Sequence, residues 1–213
     1  MSPAASQAEF LMKEYETARE LTFHVDELRA RLTSYFITLA GVAVAGLSLL
    51  LRSAEAGEDQ QLRVLVVVAL AALTTVGFVI VLIIGRLRAV QLEHFRIMNN
   101  VREYFLQHDV LLWNVVELSR TSLPKKPRRS SGSYFWVAAI ELLGATAAGI
   151  ALHVTLYREL GVFSCWWSAG FGAGLAVAYL VAADRMYMRL AKPPDRPDYD
   201  TSPNDLMPSD SRT

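Results

Sequence analysis

The stretch VLVVVALAALTTVGFVIVLIIG, from Val64 to Gly85, carries no charged side chain, and its reading decides the fold. Lipid offers a backbone no hydrogen-bond partners, so a segment that crosses a hydrocarbon core about 30 Å thick must be a helix of about 20 mostly apolar residues. Three further segments meet that demand. They run from Thr33 to Leu51, from Tyr134 to Leu156 and from Gly161 to Ala183. The chain has 213 residues, 53% of them hydrophobic, with 21 basic and 21 acidic side chains. Its apolar residues gather into these four blocks and leave the charges between them, unlike the 2.0 or 3.6 residue period of a soluble core. Trp136, Tyr157, Trp166 and Trp167 fall near the ends of the last two spans, where amphipathic rings favour the headgroup level. The pattern predicts an all-α integral membrane protein whose four transmembrane helices form two hairpins.

Basic residues beside a span tend to stay on the cytoplasmic side. Of the 21 here, only Arg52 and Arg63 in the first hairpin loop and Arg158 in the second lie outside the N-terminal, central and C-terminal segments. Both termini are therefore expected in the cytoplasm of a cell whose inner membrane holds the chain. Met1 to Gln7 is small and polar rather than apolar behind a basic start, so no cleaved signal is expected. Cys165 is the single cysteine, read as a small apolar filler that can form neither an internal disulfide nor a cysteine metal cluster.

Four units follow. Residues 8–122 comprise a cytoplasmic helix, the first hairpin and a returning cytoplasmic helix. Residues 123–133 are a basic linker, 134–190 the second hairpin, and 191–213 a proline-rich tail too poor in apolar residues to order itself. Before the first span, Leu11, Ala18, Leu21, Val25, Leu28 and Leu32 recur at the spacings of a heptad seam. Leu87, Val90, Ile97, Val101, Tyr104, Leu111, Val115 and Leu118 hold a similar register after the second, with His94 and His108 at two seam positions. The two helices are expected to continue out of the membrane as an antiparallel stalk, although an amphipathic helix lying on the bilayer would show a similar stripe.

Glu141 lies inside the third span, where an ionised carboxylate is costly and faces a partner or a water-filled path. It is the leading pathway residue. The alternatives are snorkelling to the surface, or protonation with a hydrogen bond to Thr146 or another helix. His153 near the far end of the same span either reaches interfacial water or joins a polar pathway. Gly170 and Gly174 form a G-x-x-x-G pair, and Gly144 with Ala148 a small-xxx-small pair; both favour close packing within the chain or between subunits. Arg96, Asn99, Asn100, Arg102 and Tyr104 offer either a surface for a partner or anionic ligand, or helix-to-helix hydrogen bonds that set register. Lys125, Lys126, Arg128 and Arg129 could hold anionic headgroups or form a solvated linker. The basic and aromatic residues do not interleave as nucleic-acid binding requires. No nucleophile with its base, phosphate loop or metal-ligand spacing occurs, so no catalytic residue, metal or cofactor is expected.

With DELRARLTSYFITLAG entering the first span and GRLRAVQLEHFRIMNNVREYF leaving the second, Glu14 to Leu118 resembles the layout of SLATT-type bacterial membrane effectors. The resemblance implies a membrane-perturbing pore driven by a nucleotide signal from a partner enzyme. The second hairpin departs from that two-span layout. The expected function is that of a non-enzymatic, oligomerising membrane protein, a signal-gated pore or membrane-perturbing effector whose partners are the bilayer, further copies of itself and a cytoplasmic protein or nucleotide signal. A scaffold that binds a partner through the stalk and a small transporter using Glu141 are the alternatives.

Overall fold

Pro3 opens the first helix at a position where a missing N–H costs nothing, and no proline interrupts the chain again before the second helix ends. The computed structural model describes residues 3–54, 60–108, 132–159 and 165–192, and within them the only regular elements are helices. Helix α1 spans Pro3–Ala54 and has 52 residues, and α2 spans Gln60–His108 and has 49. At 1.5 Å per residue each is about 75 Å long, more than twice the thickness of a hydrocarbon core. Helix α3 covers Gly132–Val154 and widens into a π-helical turn at Thr155–Glu159; α4 covers Cys165–Leu190. All four are long and apolar enough to cross a membrane. Gly132 and Ser133, expected in the linker, open α3, and Ala191, expected in the tail, is buried and donates its N–H to the Tyr187 carbonyl. The rest of the linker, the tail from residue 193, residues 55–59 and 160–164 between helices, and Leu111, Val115 and Leu118 lie outside the described residues.

Helices α1 and α2 pack antiparallel: Phe36 lies against Gly77, Arg29 bonds Gln91, and Arg102 reaches Tyr15. Their seam is only half the predicted one. Ala18 and Val25 are buried and Leu11 and Leu32 partly so, but the second row consists of Thr22, Arg29, Thr33 and Phe36. Leu21 and Leu28 are instead 43% and 38% exposed. The threonine hydroxyls and Nη1 of Arg29 find partners inside the bundle, which lowers the cost of their burial. Thr22 donates to the Ala18 carbonyl, Thr33 donates to the Arg29 carbonyl, and Arg29 bonds side chains of both helices. On α2, Val90 is likewise exposed while its neighbour Gln91 is buried.

In the apolar half, α3 packs on both α2 and α4 through small residues, among them Ala147, Ala148 and Ala151. A close backbone approach joins Gly149 of α3 to Gly172 of α4: a Cβ on Gly172 would lie 2.6 Å from the Gly149 carbonyl oxygen. Gly144 is also at an interface, where a Cβ would meet the Tyr179 hydroxyl. A Cβ added at Gly170 or Gly174 would meet nothing within 4 Å, so that pair faces away from α3.

Candidate functional site

The polar groups of the bundle concentrate where the apolar run of α1 begins and that of α2 ends. Arg29 stands four residues before Thr33, and Arg88 three residues after Gly85, so antiparallel packing brings the two to one level. Gln91 links them. Its Oε1 accepts from Arg29 Nη1 at 3.1 Å and from Arg88 Nη1 at 2.7 Å, while its Nε2 donates to Asp26 Oδ1 at 2.8 Å. Arg29 Nη1 also donates to Asp26 Oδ1 at 3.2 Å, forming an ion pair within α1. Arg29 is 8% exposed and Gln91 2%, so the centre of the cluster is buried while Asp26 at its edge is half-exposed, and the two buried members depend on the others for their partners. From α4, the buried Tyr187 lies in the field of Arg29, Arg88 and Glu141 and packs its ring 5.8 Å from that of Tyr134. Tyr134 in turn donates to Asp184 Oδ1 at 2.8 Å, tying α3 to α4.

Glu141 is 3% exposed and sits in the core of the bundle, close enough to act electrostatically on Tyr179 and Tyr187. That burial excludes the snorkelling alternative. Thr146 is no partner either, for it is exposed and donates to the Leu142 carbonyl. One level further in, Thr74 of α2 donates to the Leu70 carbonyl and, at 3.3 Å, to that of Gly144 on α3, while Tyr179 of α4 donates to the Thr74 carbonyl at 3.2 Å. Three helices are thus bonded at one point. Beyond it comes the Gly149–Gly172 backbone contact, and beyond that His153 shares a hydrogen bond of 3.0 Å with the fully buried Ser168 and stacks on Tyr157. His153 and Glu141 are therefore on opposite sides of a tight helix contact rather than in one open passage.

The residues expected at a partner surface divide. Arg102 donates to the Tyr15 hydroxyl at 2.8 Å and lies over its ring, and Asn99 is buried, so both serve the packing of the long helices. Arg96, Asn100 and Tyr104 are partly exposed, Tyr104 lying edge-on to Phe105. Among the described residues no three His, Cys, Asp or Glu side chains come together as a metal site. Lys125, Lys126, Arg128 and Arg129 lie outside the described residues.

Sequence reasoning passed over Asp26, Arg29, Arg88 and Gln91, although nearly equal distances from the ends of two neighbouring spans were a usable signal for the arginines. It passed over Ser168, and it counted Gly172 among the glycines that allow close approach without singling it out as the contact, since facing depends on the rotation of α4. A cleft of about 540 Å³ opens beside the cluster, between the start of the apolar run of α1, Ile84 of α2 and Trp136 of α3. Asp26, Arg29, Thr33, Ser34 and Thr38 supply its polar wall, and Ile37, Ile84 and Trp136 its apolar one. No protein-family model, curated protein or solved structure matches the chain.

Proposed function

We propose that the four helices insert as two hairpins in an inner membrane, both termini cytoplasmic, and that the chain self-associates through its stalk to act as a non-enzymatic, signal-responsive effector that permeabilises the bilayer. One observation carries the reading. Phe10, Leu21 and Leu28 stand on one face of α1, whole numbers of turns apart, and all three are exposed. The same face continues through Tyr35, Leu39 and Val42, also exposed, into the apolar run. Lipid covers the lower part of such a stripe. Above the membrane only protein can, and a second copy presents the same stripe at the same height.

The backbone contact between Gly149 and Gly172 counts against a passage through a single chain, so a conducting path is assigned to the space between copies. This also counts against a transporter working through Glu141. A cytoplasmic ligand or protein that rearranges the stalks would reach the bundle through the Asp26–Arg29–Gln91–Arg88 cluster.

The test uses Leu28→Cys in a Cys165→Ser background. Oxidation in native membranes is expected to give a disulfide-linked dimer, and liposomes carrying the parent protein should release potassium. Phe10→Glu with Leu21→Glu should abolish both, whereas Glu141→Gln should leave the flux standing. A monomer in native membranes, with no flux under any condition, would sink the reading; a stably co-purifying foreign protein in that case would favour the scaffold.

A further inference from the structure

We infer that the cleft beside Arg29 is a binding site for an anionic phospholipid, its phosphate against the Arg29 guanidinium and an acyl chain along Ile37, Ile84 and Trp136. The inference rests on the membrane-spanning reading above, but not on self-association or conductance. Arg29 is buried, yet only Nη1 is used by protein: it bonds Asp26 and Gln91, while Nε, itself buried, has no hydrogen-bond partner and Nη2 makes none among the described residues. Nη2, which unlike Nε is not sealed inside the bundle, is left as a donor for a phosphate oxygen beside the cleft, and the guanidinium supplies the positive charge. Asp26 also lines the cleft and opposes an anion, but its Oδ1 is already held by Arg29 and Gln91. Arg88 stands behind Gln91 and adds a second positive charge, which leaves the cluster with an excess of one cation over carboxylate.

The rest of the cleft fits the lipid rather than a free ion. Ser34 lies at the start of the apolar run and Thr38 more than a turn into it, and Ile37 and Trp136 are 43% and 58% exposed, so the cleft is open sideways toward the surrounding lipid. The wall sets a guanidinium and hydroxyls beside Ile37, Ile84 and Trp136 within about two and a half helical turns, the mixture of polar and apolar groups that the headgroup and the upper part of a phospholipid chain meet. Free phosphate would leave the apolar half uncovered.

Trp136 makes the site measurable once Trp113, Trp166 and Trp167 are replaced by Phe. In vesicles, brominated phosphatidylglycerol is expected to quench Trp136 at a mole fraction about fivefold lower than brominated phosphatidylcholine, the ratio set by one basic residue near the surface. Arg29→Gln should bring the two lipids to parity, and Ser34→Phe, which fills the cleft without touching the cluster, should do the same. Arg31→Gln, on the same helix but exposed and paired with Glu27, should leave the preference intact. Millimolar inorganic phosphate should not compete. Parity in the parent, a preference that survives in either folded variant, an equal loss in Arg31→Gln, or displacement by phosphate would each overturn the assignment. If Arg29→Gln does not fold, Ser34→Phe decides alone. Absence of quenching by either lipid would overturn the insertion reading with it.

Discussion

Gln91 shows how much a single uncharged side chain can hold. Two guanidiniums converge on its Oε1, and its amide nitrogen reaches the carboxylate that pairs with one of them. A buried charge is tolerated only while its partners are in place, so shape-conserving removal of the hub leaves Arg29 with a single ion pair to a half-exposed Asp26. Gln91→Leu is therefore expected to destabilise the protein by about 1–3 kcal/mol, the usual cost of orphaning a buried polar group. Thermal unfolding in detergent would show it as a lower midpoint, and an unchanged midpoint would mean that water replaces the amide. Neither Arg29 nor Gln91 stands out by type: one reads as a basic flank, the other as a polar residue past the end of a span. Their importance arises from meeting across two helices, which local patterning does not contain.

At the scale of the helix, hydropathy and facing behave differently. The apolar runs were legible because insertion depends on the summed character of about 20 consecutive residues, and no long-range contact alters that sum. Facing was only half legible. Leu21 and Leu28 have the right character for a seam, yet Thr22 and Arg29 occupy it because they find internal partners. In α4, the G-x-x-x-G spacing draws attention to Gly170 and Gly174, while the glycine between them touches α3. Rotation of an apolar helix about its axis is set by its neighbours, and its own sequence is nearly degenerate in that respect. Gly172→Ala forces a Cβ to within 2.6 Å of a carbonyl oxygen that cannot move without α3, so a loss of about 1–3 kcal/mol is expected. Gly170→Ala meets open space and should be neutral or slightly stabilising, since alanine is the better helix former. Equal midpoints for the two variants would show that α3 and α4 are not held at this contact.

On the scale of the whole molecule, Cys165 tests the proposed orientation without any change to the helices. It opens α4 and is exposed, while Tyr187 near the other end of α4 packs against Gly85, close to the level of the Arg29–Arg88 cluster and within its field. The axial distance between these two residues is roughly 33 Å, about one hydrocarbon thickness. If the cluster marks the cytoplasmic surface, Cys165 must then lie at the opposite one. A membrane-impermeant maleimide should label it in right-side-out vesicles or spheroplasts and fail in inverted vesicles. An exposed stalk position such as Arg31→Cys, in a Cys165→Ser background, should show the reverse pattern. The two sites are read against each other, so leaky vesicles would betray themselves by labelling both from one side. Labelling of Cys165 and of the stalk cysteine from the same surface would place the long helices flat on the membrane or the chain outside it. Either result would remove the stalk from the cytoplasm and, with it, the route by which a cytoplasmic signal is proposed to reach the bundle.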